Sequence, residues 1–382
     1  MRKRILTMFW YDDAGEVHLY KDVGGIPYAL AKYCGWQATF TYNDVNGIIH
    51  NEDYEKYVKL DTIHYPKILC KLKLRYYKYF QVIKYVWKNA PKYDVINFYH
   101  CHKFIRFLCW LAKKANPNII TYVKLDMGRE GFYKEQKYVQ VEKWKSVSLF
   151  TAEVKGYIDV LNNLPKFNKK VQYLPNGFFN DLVKIEENNI KKEKIILTVA
   201  RFGAWQKNTE LLLEAFKKIE INKLEGWQLW LVGPMTENFS NYLEQYKKEN
   251  SDIKNRILVF GNIKNKEELY KIYAKAGIFV HPSKSEGFPL VIPEAMFYSC
   301  YPIITDCFDA AREIVIDNRG KVIENENEQE LVDALLWAVN NFKEAIIKGE
   351  KAAIYTKENL IWEKLAKMLE KYFMEINNEV IK

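Results

Sequence analysis

The stretch His281-Pro-Ser-Lys-Ser-Glu-Gly-Phe-Pro-Leu-Val-Ile-Pro-Glu-Ala-Met296 decides the fold. It follows the apolar run Ile278-Phe-Val280, which predicts a buried strand, and closes on Pro293–Phe297, which predicts a helix. Strand-to-helix turns of this kind sit at the carboxyl edge of parallel sheets, where ligands bind. Two carboxylates, Glu286 and Glu294, flank the Gly-Phe-Pro turn. Carboxylates accept hydrogen bonds from hydroxyl groups, so the pair suits a polyhydroxylated ligand such as a sugar and a ribose.

The same rhythm runs outward in both directions. Strands are predicted at Lys194–Ala200, Gln228–Val232, Arg256–Phe260 and Ile303–Thr305, alternating with helices at Thr209–Ile219, through Tyr246, and at Glu267–Lys275. In the first half, strands at Ile5–Tyr11, Ala38–Tyr42, Asp94–Tyr99, Asn118–Val123, Ser146–Phe150 and Val171–Leu174 alternate with helical stretches, the first opened by Gly24-Gly25. Such alternation implies an α/β fold with parallel sheets covered on both faces. A chain of 382 residues exceeds what one core supports. The polar run Lys184–Glu193 is the natural linker. The expected organisation is 1–185 and 186–355 as two domains, followed by a tail at 356–382. In that tail Leu360, Ile361, Leu365, Met368, Leu369, Tyr372 and Phe373 recur at helical spacing, which predicts an amphipathic helix docked on the first domain.

Six cysteines lack both a C-x-x-C pair and a disulfide-framework spacing, so free thiols and a reducing compartment are expected. The amino terminus reads as a buried strand rather than a signal peptide, and no apolar run is long enough to cross a bilayer. The net charge of +10 is uneven: residues 1–185 carry 30 Lys and Arg against 17 Asp and Glu. The first half should therefore meet an anionic partner. Its most basic part, 66–92, has no acidic residue, and Leu69, Leu72, Tyr76, Phe80, Ile83 and Trp87 form an apolar seam at helical period. A basic aromatic helix fits an anionic membrane surface or a solvated face over a packed one. Nucleic acid is not expected, because no recognition motif accompanies the charge.

A second site motif is Ile195-Ile-Leu-Thr-Val-Ala-Arg-Phe-Gly-Ala-Trp-Gln-Lys-Asn208. Arg201 ends a strand and Lys207 stands at a helix start. A guanidinium fork and a compact ammonium there suit a diphosphate.

These segments, with Leu231-Val-Gly-Pro234, Val259-Phe-Gly-Asn-Ile263 and Thr305-Asp-Cys-x-x-x-x-Arg-Glu313, occur in an order that resembles the donor domain of retaining family-4 glycosyltransferases. The first half is similar more loosely, through Gly24-Gly25, His100 at the end of its strand, and Pro175-Asn-Gly177. The resemblance implies a GT-B fold, two Rossmann-like domains facing across a cleft, with the tail helix crossing back to the first. It implies transfer of a sugar from a nucleotide diphosphate sugar to a saccharide or polyprenyl-linked acceptor, with retention, in cell-surface polysaccharide or glycan synthesis. By it Glu286, Arg201, Lys207 and His100 are the catalytic set. Gly24, Gly25, Gly203, Gly233, Ile263, Gly287, Phe288, Pro289, Leu290 and Glu294 are the donor-binding set. Glu286 takes the sugar, Glu294 the ribose, and the Gly261–Ile263 loop the base. Glycines 24 and 25 let a loop approach the phosphates.

The chain departs from that pattern where Phe297–Pro302 lacks a glycine and where Asp309-Ala-Ala311 replaces one. His281 reads as loop support. No ligand-spaced His/Asp/Glu cluster is visible, so no cofactor and no metal are expected, the nucleotide diphosphate sugar being a co-substrate. A cytoplasmic location, peripheral on the inner membrane face, follows. A nucleotide-sugar 2-epimerase of the same fold needs acid/base groups in the first domain, and a non-catalytic sugar-nucleotide binder needs none of the clamp.

Overall fold

A computed structural model gives the architecture, and it describes residues 3–11, 15–65, 75–137, 144–168, 170–180, 191–316 and 318–381. The chain divides into two compact units, one formed by Met1–Phe179 with Leu360–Lys382 and the other by Asn180–Asn359. Most of the expected linker lies outside the described residues.

The first unit holds a seven-stranded parallel sheet. Its strands are β1 (Arg4–Phe9), β2 (Gln37–Asn43), β3 (Val58–Ile63), β4 (Val95–Tyr99), β5 (Ile120–Lys124), β6 (Leu149–Ala152) and β7 (Val171–Tyr173), in the order β3-β2-β1-β4-β5-β6-β7. The second unit holds β8 (Glu193–Val199), β9 (Gln228–Val232), β10 (Ile257–Gly261), β11 (Ala276–His281), β12 (Tyr301–Thr305) and β13 (Lys321–Ile323), in the order β10-β9-β8-β11-β12-β13. Each order reverses direction once, between β1 and β4 and between β8 and β11. That reversal opens a crevice at the carboxyl ends of those strands. The central strands are buried from end to end, β4 and β11 throughout, because helices cover both faces.

The tail helix, Trp362–Ile381, belongs to the first unit. Trp362, Leu365, Leu369 and Phe373 are buried, and Trp36 donates its Nε1–H to Glu370 Oε1 at 2.8 Å. Several elements escape sequence reading, β3 and two helices among them. β3 is an edge strand carrying Lys59 and Asp61, and the helices Glu328–Asn340 and Phe342–Asn359 lie against the second unit's core. The last of these presents Ala345, Gly349, Ala352 and Ala353 inward, so its apolar stripe is too slight to see in sequence. Gly349 touches the Ser299 backbone, where an added Cβ would meet the carbonyl at 2.3 Å.

Candidate functional site

In the second unit the predicted residues gather at the reversal point of the sheet. Arg201 and Lys207 follow β8, and the His281–Glu294 stretch follows β11. The loops are tied by backbone bonds: Lys284 N–H donates to Gln206 O at 2.7 Å, and Glu286 N–H to Cys307 O at 3.3 Å. Thr305 Oγ1 donates to Ser283 O at 2.5 Å.

Lys207, His281 and Glu286 meet. Lys207 Nζ lies 2.5 Å from Glu286 Oε1, and His281 Nε2 lies 3.3 Å from the same oxygen. The histidine nitrogen faces that oxygen at the edge of hydrogen-bond geometry. Burial alone would raise the Glu286 carboxyl, but the His281 ring and the Lys207 ammonium outweigh it and bring it down to about 2. Burial holds His281 below its ordinary value, offset in part by Glu286. The loop-supporting histidine is therefore in direct contact with the sugar-binding candidate. Arg201 stands apart from this trio, exposed at the end of β8, and its guanidinium has no partner among the described residues.

Glu294 is buried at the helix Val291–Phe297, with Oε1 2.9 Å from Lys266 Nζ and Oε2 accepting from Tyr273 OH at 3.2 Å. Both partners lie on the helix Lys266–Lys275, which begins after Ile263. The loop after β10 and Glu294 are thus one bonded assembly, and a carboxylate so held keeps spare lone pairs for another donor. Ile263 is half-buried in that loop. Gly287 is exposed, with open space where a Cβ would stand, while Phe288 packs edge-on to Phe308 at 6.1 Å. Pro289 is buried, and Leu290 is half-buried at the helix start.

Four glycines prove to have packing reasons. A Cβ on Gly203 would meet Thr236 Oγ1 at 2.1 Å, and one on Gly233 would meet Ala200 O at 1.9 Å. These two hold the loops after β8 and β9 against each other, joined by the Phe202–Met235 bridge. Gly24 and Gly25 do not form an open loop. They are buried inside the helix Asp22–Cys34, where a Cβ would strike the Leu19 backbone at 2.3 Å and the Trp362 ring at 2.3 Å, respectively. The expected glycine turn opening the helix is corrected to two glycines packed within its first turns.

His100 ends β4 in the left-handed region, φ 63°, its N–H bonded to Lys124 O at 2.9 Å and its ring edge-on to Tyr11 at 5.5 Å. Beside it the first unit gathers ionisable groups that sequence reading missed. Lys124 is fully buried at the end of β5, and its Nζ lies 2.5 Å from Glu153 Oε1. Met127 N–H donates to the other Glu153 oxygen at 3.2 Å. Asp22 is buried, and its Oδ2 has no hydrogen-bond partner. Burial and the Asp126 charge raise its carboxyl to about 7, with Lys124 opposing. The available signal was a lysine and a glutamate at the ends of apolar strands, positions that rarely hold charge without a partner. Among the described residues no three His, Cys, Asp or Glu side chains come together as a metal site.

Residues 181–359, which make up nearly all of the second unit, match the family glycosyl transferases group 1. The second unit carries a glycosyl transferases group 1 domain. The chain is similar to an α-1,4-N-acetyl-D-galactosaminyltransferase of Campylobacter jejuni named for a PP-undecaprenol-linked substrate, 24% identical across 78% of this chain and 80% of the relative. It is also similar to the amylovoran biosynthesis glycosyltransferase AmsD of Erwinia amylovora, 25% identical over 48% of this chain and half of that protein's length, 50%. Among solved structures, the Anabaena protein HepE with UDP superposes with a TM-score of 0.70 at 14% identity, covering 98% of this chain and 100% of the other. The lipopolysaccharide outer core galactosyltransferase WaaB gives 0.69 at 14% identity, covering 98% and 99%. Two Rossmann-like units of this kind make the glycosyltransferase a GT-B protein.

Proposed function

We propose that this glycosyltransferase moves a sugar with retention from a nucleotide diphosphate sugar to a saccharide or lipid-linked acceptor, in cell-surface polysaccharide or glycan synthesis. The observation that carries the reading is Lys207 held 2.5 Å from an ionised Glu286 beside buried His281, with Arg201 exposed and unpaired nearby in sequence. In this reading Glu286 accepts from donor-sugar hydroxyls, which a carboxylate held near pKa 2 does at any physiological pH. Arg201 and Lys207 carry the diphosphate and the charge that develops as it leaves. Glu294, oriented by Lys266 and Tyr273, accepts from the ribose, and the loop at Ile263 meets the base. The named substrates of the Campylobacter and Erwinia relatives support a glycan or lipid-linked acceptor, and the UDP-bound HepE supports a nucleotide donor. Metal independence is part of the proposal, since the two cations supply the charge; chelation with EDTA is expected to leave the rate unchanged. The proposed place of action is the cytoplasmic face of the membrane.

The test is a thermal-shift screen against nucleotide sugars, since a bound donor raises the melting point by mass action. The hit is then followed for slow donor hydrolysis. Glu286→Ala and Lys207→Ala are expected to lower that rate by about a hundredfold or more. Product anomers read by NMR should keep the donor configuration. Inversion would sink retention, and an epimerised nucleotide sugar formed without acceptor would overturn transfer altogether.

A further inference from the structure

The helix Arg75–Asn89 packs on its unit through Val82 and Val86, both fully buried, while Tyr85 OH donates to Asp61 Oδ2 at 2.7 Å. Of the two readings open for the seam, packed inward or facing out, its described part faces largely outward. Tyr76 is 87% exposed, Phe80 59% and Trp87 53%, with Ile83 half-buried; Leu69 and Leu72 lie outside the described residues. The helix Lys103–Ala115 beside it repeats the arrangement. It buries Ile105, Leu108 and Leu111 and exposes Phe107 and Trp110 at 39% and 46%. Ring contacts also join the two helices. Tyr79 packs edge-on to Phe104 at 4.6 Å, Phe104 stacks on Phe107 at 6.3 Å, and Phe107 on Trp110 at 5.7 Å.

Charge of one sign surrounds these rings. Lys84, Lys88, Lys103 and Lys114 are exposed on the same two helices. Between Asp61 and Asp126 the sequence has a single acidic residue, Asp94, and it lies at the amino end of β4, bonded to the Arg4 N–H. Scattered exposed aromatics need no explanation, but several of them on two adjoining helices, fringed by lysines, do. A protein partner's surface carries both signs of charge, and a nucleic acid offers no apolar layer for Tyr76, Phe80 and Trp87 to enter together. An anionic bilayer offers both at once: headgroups for the lysines and an interfacial zone that accepts aromatic rings. Among the described residues no helix is long and apolar enough to cross a membrane, so the contact is one of lying on the surface.

We infer that the outward faces of the helices Arg75–Asn89 and Lys103–Ala115 form one docking surface for an anionic lipid leaflet, with Phe80, Trp87 and Trp110 entering the interface. This rests on unit 1 alone, so it stands or falls separately from the donor chemistry of unit 2. The test is flotation of the full chain with vesicles of phosphatidylcholine alone and of phosphatidylcholine mixed with phosphatidylglycerol.

Binding is expected only to the mixed vesicles, weakening as salt is added. Lys84→Gln, Lys88→Gln and Lys103→Gln should each lower the partition constant about fivefold. Trp87→Ser with Trp110→Ser should lower it tenfold or more, while Trp87→Tyr with Trp110→Tyr restores most of it. Circular dichroism and melting point, unchanged in all variants, separate lost docking from lost folding. Absence of flotation with mixed vesicles overturns the inference, as does flotation indifferent to the aromatic substitutions. So does a concentration-dependent dimer that the Ser variants dissociate, since the rings would then be covered by a second copy.

Discussion

Glu286 and Asp22 show how neighbours, rather than residue type, set what a carboxyl group does. Glu286 has an ordinary value of 4.5 and is brought to about 2, with His281 and Lys207 outweighing burial. Its folded value lies below its unfolded one, so its contribution to stability is complete above about pH 4.5 and fades as pH falls toward 2. In urea unfolding, the advantage of the wild type over Glu286→Gln should shrink between pH 5 and pH 3, from at most about 3 kcal/mol. A pH-independent difference would contradict the Lys207–Glu286–His281 assignment. Asp22 is the opposite case, raised from 3.8 to about 7 by burial and Asp126. Its folded value lies above its unfolded one, so the wild type loses stability as pH rises from about 4 to 7. Asp22→Asn carries no such loss, and it should gain on the wild type by up to about 4 kcal/mol over that range. Equal denaturation midpoints at pH 4.5 and pH 7.5 would refute a buried, proton-holding Asp22.

Elements meet where side chains are missing. The helix Asp22–Cys34 lies so close to Trp362 that a methyl group on Gly25 would sit 2.3 Å from the indole. Gly25→Ala should therefore destabilise the protein by about 1–3 kcal/mol through overpacking, despite the better helix propensity of alanine. Trp362→Phe should recover part of that loss in the double variant, and strictly additive effects in a melting series would exclude the contact. At the end of the helix Val291–Phe297 the expected glycine is absent, and Ser299 adopts φ 60° in its place. Ser299 N–H bonds to Met296 O and Cys300 N–H to Ala295 O, so the helix-ending turn forms without glycine. The departure from the family pattern at 297–302 thus changes the residue and keeps the turn.

At the scale of the whole molecule, the chain leaves its first unit at Phe179 and returns to it at Leu360. The tail is part of that unit's core, with Phe178 and Ile361 bridged and Tyr372 OH donating to Tyr173 O at 3.1 Å. Burying Trp362, Leu365, Leu369 and Phe373 contributes on the order of 6–12 kcal/mol, comparable to the stability of a whole domain. Truncation after Asn359 should therefore unfold the first unit and leave the second, whose chain is continuous, intact. Limited proteolysis would then yield a resistant fragment near 180–359, and a resistant fragment covering residues 4–173 would disprove the tail's role.

Alternating apolar strands and helices, the Glu286 and Glu294 turn, the Arg201–Lys207 loop and the apolar stripe of the tail were legible because each is a local pattern of period or spacing. Local chemistry determined that two parallel sheets form and which loops lie at their carboxyl ends. Packing decided the rest. The reasons for Gly25, Gly203 and Gly233 lie in atoms distant in sequence, as with Trp362 against Gly25. Which way the seam of the helix Arg75–Asn89 faces was not legible, because the small apolar residues Val82 and Val86 take the buried positions while the larger rings are left to the surface. The set of Asp22, Lys124 and Glu153 comes from three separate strand and helix ends. Its charge state depends on burial and mutual distance, quantities that a linear sequence does not contain.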